Sequence, residues 1–349
     1  MSQIKSTPPE RVEDCPVEQM EVISSPLTCL LNELYERYLS DRTGKLADYI
    51  PELTKTDPDL FGIAVVTRDG RLFEAGRTRE EVTIQSISKA LTFGLALQTR
   101  GRVEVGKRVT VEPSGDAFNS IISLDDEGRP ANPMINAGAI ATTDLLEGDT
   151  VEERLQLIDD FYAAFAGRRL TIDETVYRSE KATGHRNRAI ANLLLGFGKL
   201  DHPFEETLSL YFKQCSYLVT ARDLAVIAAT FANGGTNPVT GVQAMDAQYV
   251  ADVLSVMYTC GMYDFAGTWS YDVGLPAKSG VGGGIIAVSP EQAGIATVSP
   301  LLTEKGNSVR GVKVCKVLSR NYGLHVFDPR PNPFCINEAM QPYKGEYRN

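Results

Sequence analysis

The run Gln85–Lys89, with the sequence QSISK, contains a serine and a lysine three residues apart, Ser86 and Lys89. On a helical turn this spacing puts both side chains on one face, so the lysine amine can reach the serine oxygen. A serine hydroxyl is a weak nucleophile until a base takes its proton, and burial turns a lysine into such a base because it disfavours the ammonium. The pair therefore predicts Ser86 as nucleophile and Lys89 as general base. Ser88 is a poorer candidate because no lysine follows it at that spacing.

Serine and lysine at this spacing are common on solvent-facing helices, so the pair needs support from elsewhere in the chain. The triplet Lys278-Ser279-Gly280 supplies it, followed by Val281 and a run of glycines. In serine acyltransferases that recognise penicillin, a Lys-Thr/Ser-Gly triplet lies on a strand facing the nucleophile, and a nearby backbone N–H helps to form the oxyanion hole. Glycines let the backbone approach a substrate closely. The two motifs in this order favour catalysis over two unrelated surface patterns.

Hydrophobic periodicity predicts the elements that must position these residues. Apolar residues recur at helical spacing from Leu27, directly after Pro26, and indicate a first helix. Two β-rich runs flank Asp69-Gly70, a pair typical of a hairpin turn. Further helices are predicted in five segments: KALTFGLALQTR, VEERLQLIDDFYAAFAG, RNRAIANLLLGFG, ARDLAVIAATFANGG and AQYVADVLSVMYTC. The series ends with two strands, GIIAVSP and GIATVSP, and a closing helix, SVRGVKVCKVLSRNYG.

This order of elements predicts an α+β protein. One antiparallel sheet is formed by both chain ends, is flanked by helices and carries an inserted all-helical subdomain. The catalytic domain is expected over residues 26–328, with its sheet part over about 26–85 and 278–328 and its helical part over about 86–277. Residues 1–25 and 329–349 are expected to form polar tails.

Charge and composition restrict the class of partner. The chain has 349 residues, and its 45 acidic and 35 basic side chains give a net charge of -10. A negative protein without a basic run repels nucleic acid and anionic membranes. The sequence also lacks an N-terminal secretion signal and an apolar run of about 18 residues. We therefore expect a cytoplasmic protein that acts on a small molecule.

The metal-binding residue types do not cluster in the sequence. Six cysteines and three histidines are scattered without the spacing of zinc ligands. The run Gly101–Lys107 is similar to a phosphate-binding loop, but Arg108 replaces the Ser or Thr that would bind magnesium. We expect neither a metal nor a cofactor.

Beyond the two catalytic motifs, longer motifs extend the pattern along the chain. In order they are QSISK, NPMINAGAI, SEKATGHRNRAIA, YFKQCS, CGMYDFAG, AKSGVGGG and GNSVRG. This series resembles the serine-dependent glutaminases, whose fold is that of the β-lactamases and penicillin-binding proteins. The resemblance runs from about Tyr49 to about Gly311 and covers the catalytic domain alone, without the ankyrin or STAS additions of some members. It implies a β-lactamase-like fold and assembly as a homodimer or homotetramer.

The resemblance also implies catalytic roles. Ser86 would attack the side-chain amide of L-glutamine and form an acyl-enzyme, with Lys89 as base and the backbone N–H groups of Ser86 and Val281 holding the oxyanion. Tyr263 would pass a proton to the leaving ammonia, helped by Tyr211. A phenol titrates near pH ~10, and we expect a neighbouring lysine to lower the pKa of Tyr263.

Four further residues would hold the α-amino and α-carboxylate ends of the substrate: Tyr49, Asn136, Glu180 and Asn187. A zwitterionic amino acid needs a buried carboxylate for its ammonium and donors for its carboxylate. Glu180, with Asn187 seven residues on, supplies such a pair.

Simpler explanations exist for four of these residues. Tyr211 and Tyr263 fit core positions with a satisfied hydroxyl, Asn136 fits a turn residue after Pro133, and Glu180 fits a solvated charge. Two other functions also fit the motifs: a penicillin-recognising serine hydrolase of the same fold, and a non-catalytic glutamine-binding relative.

Overall fold

A five-stranded antiparallel sheet forms the centre of the protein. The computed structural model describes residues 16–48, 50–114, 124–328 and 340–341. Neighbouring strands follow the order β2-β1-β7-β6-β5, so the first two strands of the chain pair with the last three. A separate two-stranded ribbon joins β3 to β4. The strands are β1 (Gly62–Thr67), β2 (Leu72–Gly76), β3 (Val82–Thr83), β4 (Leu218–Val219), β5 (Ala277–Ser279), β6 (Gly284–Ser289) and β7 (Ala293–Val298).

Helices cover both faces of the sheet and fill the middle of the chain. They are α1 (Pro26–Leu39), α2 (Ser88–Gly106, kinked at Gly101), α3 (Asn136–Asp144), α4 (Val151–Ala166), α5 (Glu174–Thr183), α6 (His185–Gly196), α7 (Phe204–Cys215), α8 (Ala221–Ala232), α9 (Ala247–Cys260), α10 (Ala266–Asp272) and α11 (Val309–Tyr322). The predicted α+β order, with a sheet made by both chain ends, is confirmed.

Local chemistry explains where the predicted elements begin and turn. The Ser25 side chain accepts a hydrogen bond from the backbone N–H of Thr28 and caps α1, which begins at Pro26. Gly70 turns the β1-β2 hairpin with φ 81°, a conformation that favours glycine. Thr220 and Asp223 form a reciprocal capping box at the start of α8. These are the positions at which the sequence predicted each start or turn.

Alternate residues of the strands separate two cores. On one face, Ile63 and Val65 pack with the apolar sides of α1 and α11. On the other face, Ala64 and Val66 pack with α8 and the helices behind it. The period-2 alternation of a sheet explains the division, because successive side chains point to opposite faces. Helix α8 is buried along its whole length, since it lies between the sheet and the other helices.

Four helices were not among the segments predicted, namely α3, α5, α7 and α10. Helices α5 and α7 are amphipathic, so their pattern was present in the sequence and was missed, whereas α10 has only seven residues and α3 is nine residues long and buried throughout. A helix buried on all sides lacks the amphipathic pattern on which such predictions depend.

The packed part of the chain begins before the predicted boundary at residue 26. Val17 is fully buried in the core, and Val22 forms a bridge with Leu72 at the edge of the sheet. At the other end, Met340 is 1% exposed, and its carbonyl accepts a hydrogen bond from Arg71 at 3.1 Å. Apolar residues within polar segments therefore join the core. Within the described ranges, no helix combines the length and apolarity that crossing a membrane requires.

Candidate active site

Ser86 lies in a short 3₁₀ turn, Gln85–Ile87, that leads directly into α2. The serine therefore precedes α2, and Lys89 lies in the first turn of that helix. The spacing still brings the two side chains together, because a 3₁₀ turn followed by an α-helix keeps residues three apart on one side. Lys89 Nζ is 2.9 Å from Ser86 Oγ, and both side chains are buried.

Burial sets the chemistry of Lys89. Its side chain is 1% exposed, and this burial lowers its pKa from 10.5 to about 8. The predicted lowering is confirmed. The amine also donates to Asn136 Oδ1 at 2.6 Å, and Asn136 Nδ2 donates to Asn187 Oδ1 at 3.0 Å. A single line of hydrogen bonds thus links Ser86, Lys89 and two of the predicted substrate-binding asparagines, which lie on α3 and α6.

Tyr263 lies beside Ser86, in the segment that follows α9. It begins a 3₁₀ turn after α9 with φ 57°, a value that few residues other than glycine adopt. Its hydroxyl donates to the carbonyl of Ser279 at 2.8 Å, and the Ser86 and Tyr263 side chains share a hydrogen bond. The expected lowering of the phenol pKa is wrong: burial raises it, so Tyr263 is a proton donor at neutral pH.

Lys278 on β5 lies against the same phenol. Its Nζ is 4.4 Å from the centroid of the Tyr263 ring and donates to the carbonyls of Gly261 at 3.1 Å and Ser279 at 2.8 Å. Burial is the main cause that lowers the pKa of Lys278 well below 10.5, and repulsion from Lys89 is the second. A lysine that favours its neutral form does little to stabilise a phenolate, which explains the failed expectation.

The glycine run brings the β5-β6 loop against the nucleophile segment. A Cβ at Gly280 would lie 2.8 Å from the carbonyl oxygen of Ile84, and a Cβ at Gly282 would lie 2.5 Å from that of Thr83. A side chain at either position would therefore force the loop away from Ser86. Between them, Val281 is 3% exposed.

Val281 belongs to a small apolar cluster that also holds Tyr263, Ala47 and Ile50. The predicted substrate-binding residue Tyr49 lies outside the described residues. Ala47 and Ile50, two residues before it and one residue after it, pack in the same cluster as Tyr263 and Val281.

Glu180 reaches the site from α5. It is 6% exposed, and burial raises its pKa from 4.5 to about 7. Its Oε1 accepts a hydrogen bond from Gln85 Nε2 at 3.0 Å. This hydrogen bond and the charge of Lys89 both lower the pKa of Glu180 and so oppose the effect of burial. The simpler explanation, a solvated surface charge, is therefore wrong for this residue.

Tyr211 lies on α7 in the helical wall of the site. It is 3% exposed and packs against Phe212 with ring centroids 5.8 Å apart. It also shares a hydrogen bond with Cys215, one turn further along the helix. Burial raises the pKa of Cys215, whose thiol lies close enough to Lys89 and Glu180 for their charges to act on it. Tyr211 thus approaches the catalytic pair through Cys215.

Most of the predicted site residues converge around Ser86, and three others join them. Gln85, Cys215 and Lys278 make direct contacts with the predicted residues but were given no role from the sequence. Lys278 had a usable signal in its Lys-Ser-Gly triplet, whereas Gln85 had only its place before the nucleophile. No group of three or more His, Cys, Asp or Glu side chains in the described ranges is arranged to hold a metal ion.

Comparison with known proteins agrees with this arrangement. A family model described as Glutaminase matches residues 44–327. The glutaminase of Microcystis aeruginosa is 56% identical over 313 residues, which are 90% of this chain and 93% of that protein. The glutaminase of Trichormus variabilis is 54% identical over 309 residues, or 88% of this chain and 92% of that protein.

Solved structures share the whole architecture. The crystal structure of Mglu in its glutamate form has a TM-score of 0.85 at 44% identity, covering 88% of this chain and 72% of that chain. A Bacillus glutaminase has a TM-score of 0.80 at 37% identity, covering 86% of this chain and 100% of that chain. The antiparallel sheet, the helices on its two faces and the buried Ser86–Lys89 pair define a serine-dependent protein of the β-lactamase-like fold. The chain belongs to the glutaminase family of amidohydrolases.

Proposed function

We propose that the protein hydrolyses the side-chain amide of L-glutamine to L-glutamate and ammonia through an acyl-enzyme at Ser86, with Lys89 as general base. The observation that carries the proposal is the 2.9 Å distance between Lys89 Nζ and Ser86 Oγ in a buried site. The name of the relatives, glutaminase, supports glutamine as the substrate.

In the first half of the reaction, the neutral Lys89 amine takes the proton of Ser86 while Oγ attacks the amide carbon. The backbone N–H groups of Ser86 and Val281 hold the resulting oxyanion. The carbon–nitrogen bond then breaks as Tyr263 gives its proton to the leaving nitrogen, which departs as ammonia, and Lys89 passes the proton taken from Ser86 to the Tyr263 phenolate. The shared hydrogen bond of Ser86 and Tyr263 supports this route, with Tyr211 assisting from α7.

In the second half, water attacks the ester carbon of the acyl-enzyme. Lys89 takes a proton from the water and returns it to Ser86 Oγ as the ester bond breaks, which releases L-glutamate. The pKa of Lys89, about 8, suits a group that must both accept and return a proton near neutral pH.

Recognition of the substrate rests on its charged α-carbon groups. We propose that the buried Glu180 carboxylate binds the α-ammonium, and that Asn136, Asn187 and Tyr49 bind the α-carboxylate. A carboxylate without solvent gains most from a cationic partner, because its burial is unfavourable until it is paired. The raised pKa of Glu180 supports this assignment.

The test is ammonia release by purified protein with L-glutamine, L-asparagine and D-glutamine, in the presence of excess chelator. L-Glutamine should be turned over, and mass spectrometry of quenched reactions should find the glutamyl adduct on the peptide that contains Ser86. Ser86→Ala should bind L-glutamine but release no ammonia above background, because the missing hydroxyl acts only in bond making. Binding without turnover by the unmodified protein would identify a non-catalytic relative, and labelling of Ser86 by a fluorescent penicillin would identify a penicillin-recognising hydrolase.

Assembly as a homodimer or homotetramer stays a prediction of the family resemblance, and light scattering of the purified protein measures it directly. The domain limits of 26 and 328 also stay predictions, which limited proteolysis tests.

A further inference from the structure

Gln85, directly before the nucleophile, has an unusual backbone. Its φ is 49°, and within the described residues the other non-glycine positions with positive φ are Tyr263 and Glu291. Residues with side chains avoid this region, so the surrounding structure must hold Gln85 in it. Two of the three such positions therefore flank Ser86.

The side chain of Gln85 connects three parts of the site. It is 3% exposed, and its Cβ and Cγ run beside Gly280 and Gly282 of the β5-β6 loop. Its amide nitrogen ends 3.0 Å from Glu180 Oε1 and 3.2 Å from Thr83 Oγ1. The strained backbone aims this amide across the site at the carboxylate proposed to bind the substrate ammonium.

The hydrogen bond from Gln85 acts on the charge of Glu180. Burial raises the pKa of Glu180, and donation by the Gln85 amide opposes that rise by stabilising the carboxylate. The other titratable groups that act on Glu180 are Lys89 on α2 and Cys215 on α7. The turn Pro51–Lys55, which also packs on α5, carries Glu52 and Lys55, and these two pair with each other at 2.5 Å.

We propose that Gln85 is a positioning residue for substrate selection: its amide orients the Glu180 carboxylate and favours the charged form of that group, and so sets the preference for substrates with a free α-amino group. The inference rests on the proposed function, because it takes Glu180 as the ammonium site. It goes further by assigning part of that selectivity to a residue of the nucleophile segment.

The test uses the Ser86→Ala background, in which ligands bind without turnover. Calorimetry compares L-glutamine with the monoamide of glutaric acid, which is glutamine without its α-amino group. Gln85→Met keeps the length of the side chain and removes the amide. It should weaken L-glutamine binding about tenfold, the effect of losing one hydrogen bond to a charged group, and change binding of the monoamide by less than about twofold.

Dependence on pH gives a second readout. Glutamine binding should be lost as pH falls through the pKa of Glu180, because the ammonium then meets a neutral acid. Without the Gln85 amide the pKa of Glu180 rises, so the midpoint of this loss should move to higher pH in Gln85→Met. A purely structural role for Gln85 would lower affinity for both ligands and leave the midpoint unmoved.

Two further variants separate loss of the Gln85–Glu180 hydrogen bond from backbone strain and from the loss of any buried amide. Gln85→Gly suits φ 49° better than any side chain, and so separates the lost amide from backbone strain; it should lose selectivity as Gln85→Met does. Gln214→Met removes a buried amide that bonds Thr92 instead of Glu180, and should leave the midpoint unchanged. Equal losses for both ligands, or an unmoved midpoint in folded Gln85 variants, would overturn the inference. Failure of the Ser86→Ala parent to bind glutamine at any pH would refute the proposed function instead.

Discussion

Lys278 and Tyr263 share one acceptor: the carbonyl oxygen of Ser279 lies 2.8 Å from Lys278 Nζ and 2.8 Å from the Tyr263 hydroxyl. The lysine nitrogen also lies 4.4 Å from the centroid of the phenol ring. Strand β5 therefore holds the phenol through both its backbone and its lysine, at the point where Tyr263 meets Ser86.

Removal of the phenol hydroxyl should impair chemistry more than binding. For Tyr263→Phe we expect kcat to fall by about 10²–10⁴, the usual contribution of general acid-base catalysis, with little change in glutamine affinity. Single-turnover kinetics and calorimetry on the folded variant measure the two effects. Tyr322→Phe is the matched control, because Tyr322 is equally buried, at 8% exposure, but lies on α11 at the other face of the sheet. A kcat within a few-fold of the parent would make Tyr263 a packing residue.

Lys278→Met should test whether the lysine holds the phenol in position. Methionine is of similar length and can pack on the ring, but it cannot donate to Ser279 or Gly261. We expect kcat to fall about tenfold or more while KM changes little, because the phenol loses its fixed position but the substrate keeps its partners. Lys305→Met is the control: Lys305 is 48% exposed and donates to the carbonyl of Asp264. Equal activity in both variants would contradict a positioning role.

The pH dependence of kcat/KM should report two deprotonations. Lys89, with its pKa lowered to about 8, must be neutral to act as base, and Glu180, with its pKa raised to about 7, must be ionised to bind the ammonium. Log kcat/KM should therefore rise as pH increases through the range of both groups and approach slope two well below it. In Glu180→Gln the limiting slope should fall to one. A profile that is flat from about pH 6 to about pH 9 would show that neither group limits the reaction.

Glu180→Gln should weaken glutamine binding and stabilise the fold. Loss of the ion pair between Glu180 and the substrate ammonium should weaken binding by about 1.5–3 kcal/mol.

The same substitution should affect stability. The carboxyl pKa of Glu180 is raised on folding from 4.5 to about 7, so the destabilisation by the buried charge has its full value above about 7 and disappears as pH falls to 4.5. The amide carries no charge, so the variant should have a higher Tm than the parent in alkaline buffer, with the difference shrinking toward pH 4.5. Glu304→Gln at the surface should show neither effect; an unchanged KM for Glu180→Gln would make Glu180 structural.

The sequence by itself determined the features that neighbouring residues control. The three-residue step from Ser86 to Lys89 puts both groups on one side of any helical turn, so their contact needs little help from the rest of the fold. Capping by Thr220 and Asp223, the Gly70 turn and the apolar alternation of the strands are likewise local, and the predicted helices and strands follow from them.

Tertiary structure decided which distant residues contact the Ser86–Lys89 pair and its neighbours. Asn136, Glu180 and Asn187 lie on three different helices, and local periodicity holds no information on how helices pack against one another. The family resemblance suggested these residues, but the contacts themselves depend on packing. The link from Lys89 to Asn136 exists because α3 packs beside α2, and the link from Gln85 to Glu180 exists because α7 contacts both α5 and the turn that carries Gln85.

Burial decided the protonation states. From sequence alone, an unspecified neighbouring lysine was expected to lower the phenol pKa. In the fold, Lys278 lies against the ring but is itself buried, so its pKa falls, and burial raises the pKa of the phenol. The energy of a charge depends on all the atoms that replace water around it, and those atoms come from distant parts of the chain. The sequence therefore indicated the candidate groups for the chemistry, and the packing around them determined their charge and orientation.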